Sequence, residues 1–433
     1  MKVLLLIAGR SRRFWPLSEK TLFPVCGTNL LEVTADNLKK AGLGDITIVG
    51  GEHNLKEIRA LYPEFPAIEQ KDLSLGMRGA LLEALPLCAD NPVMVVCVND
   101  IIEPKGYMEL AEASRKTGLS GAILAQKVSR YFPGGYLKLD GNRVSSITEK
   151  PAEGSEPSDL VNIAVHVHNS IPALLEALRN APKEDDGYEK ALDNLFTNSV
   201  YEAVPYSGIW QAVKYPWHVL GILETLLGKI KERYIHPSVQ IHPSAVIEGN
   251  VCINEEVKIM AHSSIKGPCF IGARSIIGNN SLVRSSSIGN GCVIGYSSEI
   301  KSSVLARNVW THSTYIGDSV IGQNVSFGAG SAIGNLRLDE TEIFSDVEGK
   351  RINTALKKFG TAIGSDCRLG IHSGINPGIK IGKGSFISSH VLVSSDIPDN
   401  SFASMKNGAL NVEKNNTGVP EIEQRSAYLK KAV

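Results

Sequence analysis

An aliphatic residue recurs at every sixth position through most of the second half of the chain. One uninterrupted run extends from Ile235 to Val283, and a later one from Ile363 to Val393. Neither an α-helix, with about 3.6 residues per turn, nor an alternating strand, with a period of about two, produces this spacing. Each hexapeptide is instead expected to form one short strand with its aliphatic side chain pointing inward. Three hexapeptides then close one coil, and stacked coils bury a continuous column, so residues 235–407 predict a parallel β-helix.

Two stretches depart from the repeat. Residues 335–360 are polar and charged, and a long insertion in a regular solenoid is typical of a functional loop. Residues 408–433 follow the last repeat, and we expect a mobile or oligomer-packing tail there. Glycine often follows the repeated aliphatic residue, as in Ile271-Gly272, and would permit the tight corners between strands.

The first half alternates short apolar runs with amphipathic stretches, which predicts a Rossmann-like α/β domain with a parallel, doubly wound sheet. We expect this domain to cover residues 1–222, followed by a linker helix at 223–234. Strands are predicted at 3–8, 46–49, 93–98, 121–125, 160–167 and 200–204. Helices are predicted at 31–41, 78–87 and 215–233.

Composition excludes several function classes. Lysine plus arginine and aspartate plus glutamate number 45 each, so no global basic field favours nucleic acid. The apolar run after the first two residues is too short for a signal-peptide core or a membrane span, and no membrane partner is expected. The seven cysteines form no CxxC pair, which favours buried thiols over disulfides or a zinc site. A cytoplasmic protein is the resulting expectation.

The first predicted strand ends in a loop that carries three arginines. Ala8-Gly9 is followed by Arg13, then by Lys20 and Pro24. Loop amides and guanidinium groups neutralise phosphate oxygens, although three arginines alone also fit a solvated basic loop. The ordered spacing resembles the sugar-phosphate nucleotidyltransferase family, whose first loop reads Gly-x-Gly-x-Arg-x-x-Pro. The resemblance implies that Ala8 and Gly9 contact a nucleoside triphosphate and that Arg13 and Lys20 are catalytic.

Further residues follow in the order of that family. Asp100 ends a hydrophobic strand, where the carboxyl edge of a parallel sheet places ligand-binding groups, although Asn99-Asp100 is also compatible with a simple turn. The resemblance assigns base recognition to Gln70 and Gly76, a Mg²⁺ ion to Asp100, and the sugar to Gly135, Glu149 and Asn162. The sequence departs from the family at Ser11 and Met77, and at Ala212, where many members carry a second metal ligand.

A polar run around His312 interrupts the hexapeptides. A structural histidine is the simpler interpretation of His312 alone, but the segment His312-x-x-Tyr315-x-Gly-Asp resembles the bifunctional glucosamine-1-phosphate acetyltransferase/uridylyltransferases. The run Tyr215-Pro216-Trp217 resembles an archaeal-type branch of that family. The near-neutral pKa of an ordinary imidazole suits the general base that the resemblance implies for His312. It also implies that the acetyltransferase substrate contacts Arg284, Lys301, Tyr315, Asn335 and Lys358. Ser326 stands where that family has asparagine.

The same resemblance implies acetyl-CoA as co-substrate, near Ser373 and Val391, and a homotrimer. The leading hypothesis is a bifunctional enzyme that acetylates glucosamine-1-phosphate and transfers a nucleotidyl group from UTP or dTTP to a sugar-1-phosphate. A second hypothesis is a hexose-1-phosphate nucleotidyltransferase with the β-helix as oligomerisation or regulatory scaffold. A third is a non-enzymatic sensor of nucleotide sugars.

Overall fold

The computed structural model describes residues 1–88, 92–184 and 186–420, together with 422 and 424. Contacts divide the chain into two compact units. The first, here called the sheet unit, contains Met1–Arg10 and Leu30–Ala212. The second, the strand-stack unit, contains Ser11–Asn29 and Val213–Val433. Part of the predicted tail, residues 421, 423 and 425–433, lies outside the described residues.

The sheet unit is built from eleven strands and six helices in its described part. The strands are β1 (Lys2–Leu6), β2 (Ile46–Gly51), β3 (Ala67–Gln70), β4 (Val93–Cys97), β5 (Asp100–Ile102), β6 (Gly121–Lys127), β7 (Gly135–Asp140), β8 (Arg143–Glu149), β9 (Leu160–His168), β10 (Tyr201–Pro205) and β11 (Trp210–Ala212). The helices are α1 (Leu30–Lys40), α2 (Leu55–Leu61), α3 (Gly76–Ala84), α4 (Pro104–Ala113), α5 (Ile171–Asn180) and α6 (Gly187–Asn198). The strands and helices predicted from the sequence in this unit are confirmed, with shifts of one to a few residues at their ends.

Nine strands form one sheet in the order β3-β2-β1-β4-β9-β6-β10-β8-β7. The four strands β3, β2, β1 and β4 are parallel, and fully buried β1 side chains such as Leu4 and Leu5 explain the continuous apolar run. The prediction of an all-parallel sheet was wrong, because β9 is antiparallel to both β4 and β6. The short turn between β7 and β8 makes an antiparallel hairpin, and such a hairpin needs no helical crossover.

The strand-stack unit contains one α-helix, α7 (His218–Leu227), and 28 strands among its described residues. The strands of its first coils are β12 (Tyr234–Ile235), β13 (Gln240–Ile241), β14 (Val246–Glu248), β15 (Val251–Ile253), β16 (Lys258–Ile259), β17 (Ser264–Lys266), β18 (Cys269–Ile271), β19 (Ile276–Ile277), β20 (Leu282–Arg284), β21 (Ser287–Ile288), β22 (Val293–Ile294), β23 (Glu299–Lys301), β24 (Val304–Leu305) and β25 (Trp310–Thr311). Those that follow are β26 (Tyr315–Gly317), β27 (Val320–Ile321), β28 (Ser326–Phe327), β29 (Ala332–Ile333), β30 (Phe344–Val347), β31 (Lys350–Asn353), β32 (Thr361–Ile363), β33 (Arg368–Leu369), β34 (Gly374–Ile375), β35 (Ile379–Ile381), β36 (Phe386–Ile387), β37 (Leu392–Val393), β38 (Ser401–Lys406) and β39 (Ala409–Lys414).

From β12 to β29 and again from β32 to β37, successive strands visit three sheets in strict rotation, and each strand pairs in parallel with its counterpart one coil later. The repeated aliphatic residues lie directly above one another, as when Ile253 of β15 pairs with Ile271 of β18. Both are fully buried in one continuous apolar column, which confirms the stacking that the hexapeptide spacing predicts.

Many corners between these strands are formed by residues other than glycine. Asn280, Asn308 and Asn324 have φ values of 58°, 59° and 57°, in the left-handed region. Asparagine tolerates this region better than other residues with a Cβ, so the corners depend less on glycine than the sequence suggested.

The insertion at 335–360 is an ordered element. Val347 of its antiparallel hairpin β30–β31, and Ile343 just before that hairpin, join a small apolar cluster with Trp217 and Phe359. Trp217, just before α7, is only 2% exposed in this cluster. The insertion thus packs α7 into the strand-stack unit, whose second segment begins at Val213.

The chain beyond the last coil also forms regular structure. Strands β38 and β39 make an antiparallel hairpin that extends one of the three sheets past the predicted boundary at residue 407. All seven cysteines are free thiols, as predicted. Within the described residues, no helix combines the length and the apolar character needed to cross a bilayer.

Candidate active sites

The arginine-rich loop belongs to the strand-stack unit. In segment 11–29, the Trp15 indole donates to Asp399 Oδ1 at 2.9 Å, and the Cys26 amide donates to Ser287 Oγ at 2.8 Å. Such contacts anchor the loop on the coils through residues far apart in sequence. The sequence offered no signal for this anchoring, because none of these residues belongs to the loop motif.

The two predicted catalytic cations in this segment differ in environment. Arg13 is exposed, whereas the Lys20 ammonium donates to the Val213 carbonyl at 2.8 Å. Ser11, at the position of a family glycine, adopts φ 49°, the region that favours glycine, and its hydroxyl accepts from the Lys20 amide at 3.4 Å. Serine therefore preserves the backbone conformation that glycine would supply.

The residues predicted to contact the base lie at the end of β3 and the start of α3. Gln70 is buried, and its Nε2 donates to the carbonyls of Asp72 at 2.8 Å and Gly76 at 2.9 Å. A Cβ on Gly79 would lie 2.6 Å from that nitrogen, so glycine is required for this approach. With both Nε2 hydrogens used by main-chain carbonyls, Oε1 is the side of the amide that can accept a hydrogen bond.

Two further predicted nucleotide contacts follow β1. Ala8 is buried, whereas Gly9 is exposed, and a Cβ on Gly9 would meet no atom within 4 Å. The Asn54 amide donates to the Ile7 carbonyl at 2.8 Å and fixes the end of the strand. Met77, a departure from the family, packs against the apolar core of the sheet unit.

Asp100 opens β5, which pairs antiparallel with β11. The Trp210 indole donates to Asp100 Oδ2 at 2.7 Å, and Ala212 is the residue directly opposite Asp100 in the ladder. Among the described residues, no group of three or more histidine, cysteine or acidic side chains could hold a metal. Mg²⁺ commonly takes one or two carboxylates and completes its shell with phosphate oxygens and water, and Asp100 fits this smaller donor set.

The three residues predicted to bind the sugar are neighbours. Gly135 of β7 pairs with Glu149 of β8, and the pairing of Tyr136 with Val161 aligns Gly135 with Asn162 of β9. A Cβ on Gly135 would lie 3.1 Å from Glu149 Oε2. The register thus brings residues from three separate sequence motifs into one row.

In the strand-stack unit, the predicted phosphate-binding residues form a ladder. Arg284 of β20 pairs with Lys301 of β23 one coil later. Arg284 contacts Glu299 Oε1 at 2.5 Å, with side chains 42% and 32% exposed. Lys301 contacts Asp318 Oδ2 at 2.8 Å, with side chains only 17% and 12% exposed. Both cations therefore carry a carboxylate partner, and the sequence analysis had not assigned a role to Glu299 or Asp318.

Asp318 also gathers the remaining predicted substrate residues. Asn335 Nδ2 donates to the same Asp318 Oδ2 at 2.5 Å. A Cβ on Gly317 would lie 2.5 Å from the Tyr315 hydroxyl and 2.7 Å from Asn335 Nδ2, so this glycine allows the two side chains to approach each other. Lys358 forms an isolated β-bridge with Leu336, the residue after Asn335. The insertion hairpin therefore returns the chain to this cluster.

His312 lies at the corner between β25 and β26, three residues before Tyr315, and its ring is exposed. The Thr314 hydroxyl donates to the His312 carbonyl at 2.9 Å, and the Ser313 amide donates to the Tyr296 carbonyl at 3.0 Å. The backbone at this corner is thus fixed while the imidazole faces solvent.

The residues predicted to lie near acetyl-CoA are interior. Ser373 is 2% exposed and Val391 is 1% exposed. The Ser373 hydroxyl donates to the Gly370 carbonyl at 2.9 Å. Both residues are therefore shielded from solvent within a single chain.

Comparisons with known proteins cover both halves of the chain. A family model described as nucleotidyl transferase matches residues 2–213, and one described as GMPPB C-terminal domain matches residues 229–316. The bifunctional sugar-1-phosphate nucleotidylyltransferase/acetyltransferase of Sulfurisphaera tokodaii is 31% identical over 407 residues, covering 92% of this chain and 98% of the relative. The bifunctional protein GlmU of Methanococcus maripaludis is 30% identical over 425 residues, covering 96% and 100%. Since these similarities extend over nearly the full length of both chains, the protein belongs to the family of bifunctional sugar-1-phosphate nucleotidylyltransferases/acetyltransferases.

Proposed function

We propose that this enzyme acetylates the amine of glucosamine-1-phosphate with acetyl-CoA and transfers a nucleotidyl group from UTP or dTTP to the N-acetylated sugar phosphate. The observation that carries the first activity is the cluster of Lys301, Tyr315, Asp318 and Asn335, in which Tyr315 is three residues beyond the exposed His312. A scaffold needs no such concentration of polar groups around one glycine.

The acetyl transfer is assigned to these groups as follows. The His312 imidazole accepts a proton from the substrate amine while the nitrogen attacks the thioester carbonyl, and coenzyme A thiolate leaves. The cations of Arg284, Lys301 and Lys358 balance the sugar phosphate. Tyr315 and Asn335 orient the sugar hydroxyls.

The nucleotidyl transfer needs no general base, since a phosphate oxygen is already an anionic nucleophile at neutral pH. Asp100 would hold Mg²⁺ together with phosphate oxygens and water, and the ion would neutralise the triphosphate. Arg13 and Lys20 add positive charge where charge develops on the phosphates. Trp210 orients the Asp100 carboxylate.

The residues that recognise the base and the sugar are proposed from their hydrogen-bonding groups. The Oε1 acceptor of Gln70 fits the N3–H of uracil or thymine. Gly135, Glu149 and Asn162 contact the sugar. We further propose that the stacked coils form a left-handed β-helix, that three copies assemble, and that acetyl-CoA binds in the groove between neighbouring coils near Ser373 and Val391.

The deciding experiment measures free thiol released from acetyl-CoA with glucosamine-1-phosphate. The wild type is expected to release thiol, and His312→Ala is expected to lose about 100-fold or more of this activity. His262→Ala is a matched control, because His262 is also an exposed histidine between two strands, β16 and β17, on an earlier coil. Equal rates in wild type and His312→Ala, or absence of thiol release by the wild type, would overturn the assignment.

A further inference from the structure

A chain of buried hydrogen bonds runs from Asn162 into the interior of the sheet unit. Asn162 Oδ1 lies 2.7 Å from His166 Nε2, and His166 Nδ1 lies 2.6 Å from the Tyr188 hydroxyl. The same hydroxyl lies 3.0 Å from His168 Nε2, and His168 Nδ1 lies 2.8 Å from the Tyr201 hydroxyl. Both histidines are fully buried.

Burial fixes the protonation state of this chain. Desolvation holds the pKa of His166 well below its usual value, and lowers the pKa of His168 to about 3. Both rings are therefore neutral at physiological pH, and each has one donor and one acceptor nitrogen. When one nitrogen of a neutral ring accepts a hydrogen bond, the other nitrogen must donate one. The direction of one hydrogen bond therefore determines the direction of the next.

Only one direction satisfies every group. If the Tyr201 hydroxyl donates to His168, then His168 Nε2–H donates to Tyr188, Tyr188 donates to His166, and His166 Nε2–H donates to Asn162 Oδ1. In the reverse direction the Tyr201 hydroxyl would need an acceptor, and the described residues offer it no second hydrogen-bond partner. A buried hydroxyl without an acceptor costs about 1 to 3 kcal/mol, so the first direction is favoured.

An irregularity in the sheet makes the first link possible. Four residues of a regular strand span about 13 Å, too far for the Asn162 and His166 side chains to meet. Here Ile123 of β6 pairs with His166 of β9, and Ala125 pairs with Asn162. Between these two pairs β6 spans two residues and β9 spans four, which is a bulge in β9. The bulge shortens β9 between its sugar-binding row and its buried end.

We propose that His166 and Tyr188 are positioning residues that orient the Asn162 amide, so that its Nδ2 donors face the ligand and recognise an oxygen acceptor on the sugar phosphate. This inference rests on the proposed role of Asn162 in nucleotidyl transfer. An asparagine amide interchanges its oxygen and nitrogen by rotation, and a fixed donor at Oδ1 removes that freedom. The chain of hydrogen bonds thereby holds Asn162 Oδ1 in the interior, so that only the Nδ2 donors of this side chain face the ligand.

Tyr188→Phe removes the central hydroxyl and keeps the ring. We expect KM for the sugar-1-phosphate to rise about tenfold, the equivalent of one hydrogen bond, while KM for the nucleoside triphosphate and kcat change less than about twofold. Tyr107→Phe is the matched control, because Tyr107 is also fully buried but its hydroxyl makes no hydrogen bond among the described residues. Its kinetics are expected to equal those of the wild type.

A double-mutant cycle separates positioning from a general loss of structure. Asn162→Ala should raise the same KM, and adding Tyr188→Phe to it should have little further effect, since the chain acts only through that amide. Additive effects of the two substitutions would overturn the proposal.

Nitrogen NMR of histidine-labelled full-length protein tests the chain without turnover. Both rings are expected to carry their hydrogen on Nε2 and to remain neutral at pH 5, with signals assigned from His166→Gln and His168→Gln variants. Hydrogen on His166 Nδ1 would overturn the proposal. A wild type that turns over no hexose-1-phosphate would refute the proposed function instead, and the NMR result would still decide the orientation of the chain.

Discussion

The two candidate sites reach their geometry by different routes. In the strand-stack unit, Lys301 and Asp318 lie 17 residues apart in sequence, yet the length of one coil brings them into contact at 2.8 Å. In the sheet unit, Asn162 meets His166 only because a bulge shortens β9. A repeat therefore places side chains by its period, whereas a mixed sheet places them through single local irregularities.

The sites also differ in how many polar groups they concentrate. Asp318 binds both Lys301 and Asn335, whereas Asp100 faces an alanine across its ladder and receives the Trp210 indole. The proposed acetyl-transfer site therefore gathers several side chains around one carboxylate.

The largest expected effect is a reciprocal loss of activity. Asp100→Ala should lower nucleotidyl transfer by about 100-fold or more and leave thiol release from acetyl-CoA unchanged, while Lys301→Ala should do the opposite. Each variant serves as the control for the other when both reactions are measured on the same preparations. If either substitution abolishes both activities, the two sites are not independent.

Acidification should distinguish the two units next. Burial lowers the pKa of both His166 and His168 in the folded state, so their contribution to stability is complete above about pH 6.5 and falls as pH falls below it. For His168 the loss continues to about pH 3. Each histidine lowers the free energy of opening by about 1.4 kcal/mol per pH unit in that window. Hydrogen exchange, corrected for its intrinsic pH dependence, should show β9 losing protection before β18. His168→Gln should halve the change in the free energy of opening of β9 per pH unit. An equal pH dependence of that free energy in β9 and β18 would contradict this account.

A second carboxylate beside Asp100 should strengthen metal binding in the sheet unit. Ala212→Asp places an acid opposite Asp100, and we expect about tenfold tighter Mn²⁺ binding, measured by electron paramagnetic resonance. Gln211→Asp is the control, because adjacent residues of a strand point to opposite faces. Equal affinities of the two variants would argue against a metal site at Asp100.

The smallest effects should come from the two ion pairs of the acetyl-transfer site. Asp318→Asn is expected to destabilise the local structure by about 2 kcal/mol, since the Lys301 ammonium is largely shielded from water. Glu299→Gln should cost less than about 1 kcal/mol, because the pair with Arg284 is more exposed. Hydrogen exchange of β23 and β26 would measure both. A larger loss for Glu299→Gln would reverse the ranking.

Much of the fold could be predicted because its signals are local and repeated. The six-residue spacing from Ile235 to Val283 and from Ile363 to Val393 predicts which side chains point inward and therefore the column they bury. The apolar runs of β1, β2 and β4 likewise show that these strands are covered on both faces. The antiparallel placement of β9 could not be predicted, since its apolar run is the same for either direction.

For this protein, the sequence by itself determined the period of the coils, the strands and helices of the first half, and the types of residue available for chemistry. Only the tertiary structure decided that segment 11–29 is anchored on the strand stack, that Asp318 joins Lys301 to Asn335, and that Asn162 hydrogen-bonds to the buried His166. The physical reason is that periodicity follows from neighbours along the chain. A contact between distant residues depends on strand order, bulges and corner geometry, which no local pattern encodes.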